Sequence, residues 1–213
     1  MTSKIKKAEN YAEDHIVDIL SKNGIRFDKI HNDISLYKIY DLFNNNTHFN
    51  ANNKIELLYY GHYYRINKDF KQMKYYYEMF SERGDPNGYL FLGHYYSSTG
   101  KNSDAVYYYK KVVDMGYSDG YLAIGYHYKK LGNYFKMKKY YKTAIKKGNI
   151  NAMLNMGLHY YEIKNYKKMK KYYTMAIEYG HIFAFYNMIQ YCLEFKEDNL
   201  IEEYKKLFAI KKN

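Results

Sequence analysis

The chain of 213 residues contains one cysteine, one proline and no tryptophan. A lone Cys192 excludes an intramolecular disulfide and a cysteine-cluster metal site. No stretch approaches the roughly 20 apolar residues that a membrane-spanning helix needs, and the opening MTSKIKKAEN has no apolar run of the kind found in secretory signals. We therefore expect an intracellular protein, in the cytoplasm, without a membrane span.

Sequence motifs of catalysis are also missing. The chain has no Gly-x-Ser-x-Gly, no phosphate-binding glycine loop and no His-Glu-x-x-His, and its acidic residues do not fall in regularly repeated pairs. These absences predict a protein that is not an enzyme and that uses no cofactor.

What the sequence does contain is a repeat of 32 residues. Two sets of glycines recur at that spacing, one set inside the repeat and one at its end: Gly61, Gly93, Gly125 and Gly157, then Gly84, Gly116, Gly148 and Gly180. A fixed period of this length indicates a solenoid, in which each unit buries its apolar face against its neighbours.

Each repeat carries two apolar stripes with helical spacing. In residues 149–180 the spacing i, i+3, i+4, i+7 occurs twice, at Met153, Met156, Gly157 and Tyr160 and again at Met169, Tyr172, Tyr173 and Ala176. The same places are apolar or glycine in the other repeats. The pattern predicts two antiparallel helices per repeat, called helix A and helix B below.

The two sets of glycines have different predicted roles. A glycine inside a helix costs about 1 kcal/mol relative to alanine, so we expect the one in helix A to let helix B approach closely beneath a bulky tyrosine. The glycine that ends helix B is expected in the left-handed conformation. After Gly84, we predict that Asp85 is the N-cap of the next helix and Pro86 its first residue.

The core is expected to be built largely from tyrosine, because the chain has 32 tyrosines. A tyrosine ring is apolar but its hydroxyl needs a hydrogen-bond partner. We therefore expect most rings to lie at the rim of the packing, with the hydroxyl in water or on a backbone carbonyl.

The repeat sets the predicted domain boundaries. Four repeats occupy 53–84, 85–116, 117–148 and 149–180, and a degenerate capping repeat follows at 181–213. Before them we predict an N-terminal helical cap, 1–43, with helices at 4–22 and 33–43, and a polar linker, 44–52.

The repeated string resembles the Sel-one-like branch of the tetratricopeptide superfamily. The residues that carry the resemblance are best preserved in the fourth repeat: Gly148, Ala152, Met156, Gly157, Tyr160, Lys170, Tyr172, Tyr173, Ala176 and Gly180. The unit is shorter than is usual in that family, and Tyr-Tyr stands in place of Trp-Tyr. The resemblance implies an all-α fold, a right-handed superhelical α-solenoid, and a non-catalytic scaffold or adaptor that binds proteins or peptides.

Similar proteins bind partners on a concave wall formed by the A helices, and the same register here predicts a mixed polar and aromatic strip suited to an extended peptide. The candidate partner-binding residues, called the helix A strip below, are Asn87, Asp119, Asn151, His62, His94, Tyr126, Leu158, Arg65, Ser97, Lys129 and Tyr161. Ordinary solvated helix positions without a ligand are the alternative for any one of them.

The histidines in this set do not predict a metal site. His62 and His94 occupy the same place in successive repeats, so we expect them about 10 Å apart. Two ligands of one zinc ion each need bonds of about 2 Å. His127 and His159 occur one place later and point elsewhere, so no metal is expected.

Positive charge is concentrated in one part of the chain. Between Gly120 and Lys171 there are 13 lysines and a single acidic residue, Glu162, while the rest of the chain is balanced. Most of these lysines lie on the B helices, and ten form a second candidate surface, called the lysine surface below: Lys136, Lys138, Lys139, Lys142, Lys146, Lys147, Lys167, Lys168, Lys170 and Lys171.

Two interpretations of the lysine surface remain open. The lysines could keep the outer face of a tyrosine-rich solenoid in solution. Alternatively, they could bind nucleic acid or another polyanion, such as an acidic protein or an anionic membrane surface, since a localised basic patch attracts negative charge. Arginine, which suits planar phosphate forks better than lysine does, is nearly absent.

Overall fold

The computed structural model describes residues 54–212. The predicted N-terminal cap at 1–43, with its helices at 4–22 and 33–43, and the polar linker at 44–52 lie outside the described residues. The secondary structure of the described part consists of ten α-helices: α1 Lys54–Ile66, α2 Phe70–Glu82, α3 Asn87–Ser98, α4 Asn102–Asp114, α5 Asp119–Lys130, α6 Tyr134–Lys146, α7 Ile150–Glu162, α8 Tyr166–Glu178, α9 Ile182–Glu194 and α10 Asp198–Lys212.

The chain divides into two compact units, Met1–Phe91 and Leu92–Asn213. In the first unit α1 packs against α2. In the second unit each helix from α4 to α9 packs against the next along the chain. This succession of helix pairs is the packing of an α-solenoid, and it confirms the predicted all-α class. The right-handed sense of the predicted superhelix stays a prediction.

The glycines that end the B helices have the predicted left-handed conformation. Their φ angles lie between the +76° of Gly180 and the +88° of Gly116. After Gly148, the amide of Asn149 donates to the carbonyl of Ala144 (3.0 Å), and the Asn149 side chain accepts from the amide of Ala152 (2.9 Å). The bend therefore provides hydrogen-bond partners for a carbonyl at the end of one helix and an amide at the start of the next.

The start of α3 departs from the prediction by one residue. Asp85 accepts from the amide of Asn87 (3.0 Å) and so caps the helix as expected. However, α3 begins at Asn87, and Pro86 lies just before it. The carbonyl of Pro86 accepts from the amide of Leu90 (3.1 Å), which places the proline at the entrance to the helix.

The glycines inside the A helices provide close contacts between helices, as predicted. A Cβ atom added to Gly61 would lie 2.3 Å from the ring of Tyr77 in the first unit. In the second unit a Cβ on Gly157 would lie 2.3 Å from the ring of Tyr173, and Gly93 and Gly125 meet Tyr109 and Tyr141 in the same way. Each of these rings lies directly on the backbone of the paired helix.

A stacked pair of tyrosines accompanies each glycine contact. In the first unit the rings of Tyr64 and Tyr76 lie 5.4 Å apart, centre to centre. The equivalent distance between Tyr160 and Tyr172 in the second unit is 5.5 Å, with the rings within 8° of parallel. Offset stacks of this kind contribute about 1 kcal/mol beyond the area that they bury. The repeated apolar stripes are therefore the packing faces of the helix pairs.

Eight tyrosines of the described residues are buried, against the expectation that the rings lie at the rim of the packing, and four of them are almost completely buried. Tyr77, Tyr109, Tyr141 and Tyr173 are at most 2% exposed. Glycine beneath the ring leaves room for the whole side chain between two helices, so the ring fills the centre of the pair. The hydroxyl groups consequently need partners inside the protein.

No helix within residues 54–212 combines the length and apolar character that crossing a bilayer requires. Cys192 is fully buried among the apolar residues of α9.

Candidate functional site

Two residues of the helix A strip are partners of the buried tyrosines. In the first unit the hydroxyl of Tyr77 lies 2.8 Å from Nδ1 of His62. In the second unit the hydroxyl of Tyr109 lies 2.9 Å from Nδ1 of His94. Burial raises the pKa of both tyrosines, so each hydroxyl stays protonated and shares a hydrogen bond with the imidazole nitrogen.

His62 cannot contribute to an exposed binding surface, which corrects its place in the helix A strip. The side chain is fully buried, because its ring packs edge-on against Tyr77 (5.3 Å) and Phe91 (4.8 Å). Of the other strip residues in the first unit, Arg65 is half-buried and Asn87 is exposed. Asn87 bonds to the capping carboxylate of Asp85 (2.8 Å).

The strip residues at the start of the A helices in the second unit are bonded to the following repeat. Oδ1 of Asp119 accepts from the side-chain amide of Asn149 (3.0 Å). Oδ1 of Asn151 lies 3.0 Å from Nε2 of His181. Asn149 and His181 are also the N-caps of α7 and α9. Each strip residue is thereby tied to a helix cap 30 residues further along the chain.

The strip residues at the end of the A helices make the same kind of link. The Ser97 hydroxyl lies 2.8 Å from Nδ1 of His127. Nζ of Lys129 donates to Oε1 of Glu162 (2.6 Å), and the hydroxyl of Tyr161 donates to Glu194 (2.8 Å). Because the partners are about 30 residues apart, these bonds connect consecutive A helices side by side.

Tyr126 and Leu158 occupy the middle of the strip. Tyr126 occupies the position of His94 one repeat later, and Leu158 occupies it two repeats later. Tyr126 is 47% exposed, and Leu158 is half-buried. Tyr161, at the end of the strip, is 38% exposed while its hydroxyl is held by Glu194. The strip in the second unit therefore presents two tyrosine rings between polar side chains whose positions are fixed by hydrogen bonds.

His127 and His159 are buried behind this strip, at 1% and 3% exposure. Burial lowers the pKa of both, and Lys130 lowers that of His127 further. One nitrogen of each ring, and the hydroxyl of Tyr141, are buried without a hydrogen-bond partner within the described residues. Histidines in this environment remain neutral and act as packing groups.

The lysine surface of α6 and α8 is accessible. Lys138 and Lys170 are half-buried and the other eight lysines are exposed. Within residues 54–212, Lys170 is the one member that forms an ion pair, with Glu197. Lys136 and Lys168 lie over the rings of Tyr128 (4.9 Å) and Tyr160 (5.2 Å), which holds their stems against the protein. Nine of the ten ammonium groups are therefore not neutralised by an ion pair within residues 54–212.

The described residues contain no group of three or more histidine, cysteine, aspartate or glutamate side chains that could hold a metal ion. An open cavity of about 490 Å³ is lined by residues at the start of α7 and α9, among them Asn149, Asn151 and His181. Asn149 caps α7 and donates to Asp119, and His181 caps α9 and bonds to Asn151. The cavity therefore offers few polar groups to a small ligand.

No family model matches the chain, and no curated protein matches it.

Sequence reasoning did not find the tyrosine–histidine bonds or the bonds between repeats. It treated His94, Ser97 and Lys129 as independent surface groups, whereas the structure gives each a protein partner. A usable signal was present in the sequence. Pairs of polar residues such as Lys129 and Glu162, or Tyr161 and Glu194, recur 33 residues apart, which is one repeat plus one position.

Proposed function

We propose that this protein is a non-catalytic binding scaffold of the Sel-one-like, tetratricopeptide-like class, which works inside the cell and binds a protein or peptide on its helix A strip. The proposal rests on the repeat and on the resemblance carried by residues such as Gly157 and Tyr173. It concerns the part of the strip that lies in the second unit, from His94 to Tyr161.

The observation that carries the proposal is the set of hydrogen bonds between consecutive A helices. These bonds, including Lys129 to Glu162 and Asn151 to His181, hold the side chains of the strip before any partner arrives. Binding to a surface that is already ordered costs less conformational entropy than binding to a mobile one. The exposed rings of Tyr126 and Tyr161 then offer large contact area at low entropic cost.

The lack of a catalytic sequence motif supports this role. The residues that recur in each repeat make packing contacts, and the buried histidines serve as acceptors for tyrosine hydroxyls or as packing groups. The Ser97 hydroxyl does lie 2.8 Å from Nδ1 of His127, but the other ring nitrogen of His127 has no orienting partner within the described residues. A binding scaffold needs neither a nucleophile nor a catalytic base.

The test is capture of a partner by the purified protein, followed by a binding titration with that partner. We expect Tyr126→Ala to weaken the complex by about tenfold, since loss of a central aromatic residue typically costs more than 1 kcal/mol. His94→Ala is a poor test variant, because it would also leave the buried Tyr109 hydroxyl without its acceptor.

Tyr107→Ala is the matched control for Tyr126→Ala. Tyr107 is 54% exposed, close to the 47% of Tyr126, but it lies on a B helix. The control variant should bind as the unmodified protein does. Equal affinity of Tyr126→Ala and the unmodified protein, with helicity unchanged in both, would remove the helix A strip as the binding surface.

A second candidate function, binding of a polyanion, is favoured by one observation. Nine of the ten lysines of the lysine surface lack an acidic partner within residues 54–212, and they lie on two B helices of the same unit, α6 and α8. A surface that served solubility alone would not need this concentration of charge. Single-stranded RNA and heparin are suitable probes.

We expect such binding to weaken steeply with salt, because each phosphate contact releases a counterion. Changing Lys139, Lys142, Lys167 and Lys171 to glutamate should lower the slope of log affinity against log salt by about 3. A control with the same change in net charge replaces Lys71, Lys74, Lys110 and Lys206, which are exposed elsewhere. If both sets of changes have the same effect, or neither probe binds at low salt, the second candidate is excluded.

A further inference from the structure

The loops from helix A to helix B in the second unit expose apolar side chains. Leu131, Ile163 and Phe195 are the C-cap residues of α5, α7 and α9, and they occupy the same place in three successive repeats. Their exposed fractions are 50%, 54% and 41%. Phe135, at 79%, and Leu193, at 54%, flank them. These five residues are called the apolar edge below.

The regular spacing makes the apolar edge different from scattered surface residues. Consecutive A helices are bonded side by side through Lys129 and Glu162 and through Tyr161 and Glu194. Neighbouring helices typically lie about 10 Å apart, so we expect the equivalent loop residues to form a row with a step of about that length. Isolated exposed apolar residues need no explanation, whereas a contiguous apolar row rimmed by polar groups indicates an interaction site.

Exposed lysines are adjacent in sequence to the apolar residues of this edge. Lys130, Lys164 and Lys196 are each adjacent in sequence to one of the loop residues and exposed, and Lys167 is exposed at the start of α8. None of these four lysines forms an ion pair within the described residues. Lys164 and Lys196 have φ angles of 57°, so the chain turns sharply at both positions.

The acidic residues of this region are mostly engaged with the protein itself. Glu162 pairs with Lys129, and Glu194 accepts from the hydroxyl of Tyr161. Glu197 pairs with Lys170 and accepts from the hydroxyl of Tyr191. Asp198 is exposed in the first turn of α10. The charge that the apolar edge presents to a partner is therefore positive, which complements an acidic ligand.

We propose that the apolar edge is a docking site for an acidic, extended segment of a partner protein that carries an apolar side chain at every third residue. In the polyproline II conformation, residues three apart lie on the same face and about 9 Å from each other. This distance is close to the step of about 10 Å that we expect between Leu131, Ile163 and Phe195. Acidic residues between the apolar ones would meet the lysines.

The partner is a protein segment and not a nucleic acid, because three of the five apolar residues, Leu131, Ile163 and Leu193, are aliphatic. Bases in single strands bind by stacking on aromatic rings, and an aliphatic row does not offer such a platform. None of the five residues of the apolar edge belongs to the helix A strip, so the proposal extends the proposed function and does not depend on Tyr126.

The test uses a labelled synthetic peptide of five leucine–glutamate–proline triplets and the full-length chain. We expect saturable binding, followed by fluorescence anisotropy. Ile163→Ser is expected to weaken it about tenfold, since it removes the apolar contact at the middle of the row. A peptide of the same composition with its leucines grouped at one end should bind much less tightly.

Two variants serve as controls. Phe183→Ser removes an apolar side chain with 64% exposure at the start of α9, and Tyr126→Ala alters the helix A strip. Both should leave the affinity for the peptide unchanged. The proposal is overturned if the peptide does not bind, if the grouped peptide binds equally well, or if Phe183→Ser weakens binding as much as Ile163→Ser. Displacement of the bound peptide by RNA at equal charge concentration would overturn it too.

Discussion

Gly157→Ala is expected to lower the free energy of unfolding by about 2 kcal/mol or more, although alanine normally stabilises a helix. The new methyl group would lie 2.3 Å from the ring of Tyr173, which is itself 2% exposed and cannot move aside. A contact this short places the overpacking cost at the upper end of the usual range, about 3 kcal/mol or more, so a net loss of about 2 kcal/mol remains after the gain of about 1 kcal/mol in helix propensity. Urea unfolding followed by circular dichroism measures the effect.

Gly148→Ala is the control for this prediction, because a Cβ at Gly148 would meet no atom within 4 Å. Its φ of +80° still disfavours a side chain, so we expect a loss of about 1 kcal/mol. Asparagine at the same position should cost less than alanine, since it tolerates the left-handed conformation. An increase in stability for Gly157→Ala would contradict the packing of Tyr173 on the helix backbone.

Acidification to pH 5 is also expected to lower the free energy of unfolding strongly. Burial lowers the pKa of His62 from 6.5 to about 3, with a smaller contribution from Arg65. At pH 5 the folded protein keeps His62 neutral, while the unfolded chain binds a proton at this residue. The contribution of neutral His62 to the free energy of unfolding is fully present above about pH 6.5. It decreases as the pH falls toward 3.

From His62 alone, the expected loss between pH 7 and pH 5 is about 2 kcal/mol. His127 and His159 have lowered pKa values for the same reason and add to the effect in the second unit. Urea unfolding at pH 7 and pH 5 checks this, in a range where most carboxylates stay ionised.

His62→Gln separates this effect from other titrations. Glutamine can accept the hydrogen bond of the Tyr77 hydroxyl but does not titrate, so the variant should lose less stability than the unmodified protein on acidification. Identical pH dependence of the two proteins would rule out His62 as a cause. A gain in stability at pH 5 would contradict the burial of neutral histidine in the first unit.

The helices and their packing faces could be predicted because the same pattern of residues recurs in successive repeats. Gly157 and Tyr173 are 16 residues apart, and Gly61 and Tyr77 share that spacing. Only a close contact between helix A and helix B explains a glycine and a tyrosine that recur together. Local rules were sufficient for Gly84 and Gly180 as well, since the left-handed conformation is a property of the glycine itself.

The candidate site was less predictable because its residues depend on neighbours one repeat away. His62 and Tyr77 are 15 residues apart, and only the depth of the ring between two helices brings the hydroxyl to the imidazole. Ser97 and His127 lie in different repeats. Helical periodicity places a residue on a face of its own helix but does not reveal what the next helix brings against that face.

The most direct test of this account is the NMR spectrum of the protein with ¹³C-labelled glycine. The α protons of Gly61, Gly93, Gly125 and Gly157 lie against tyrosine rings, so ring currents should shift their resonances away from ordinary glycine values. Gly116, Gly148 and Gly180, which have open space around them, should show ordinary values. If all seven glycines resonate at ordinary positions, the helix pairs are not joined by tyrosine packed on glycine, and the account is wrong.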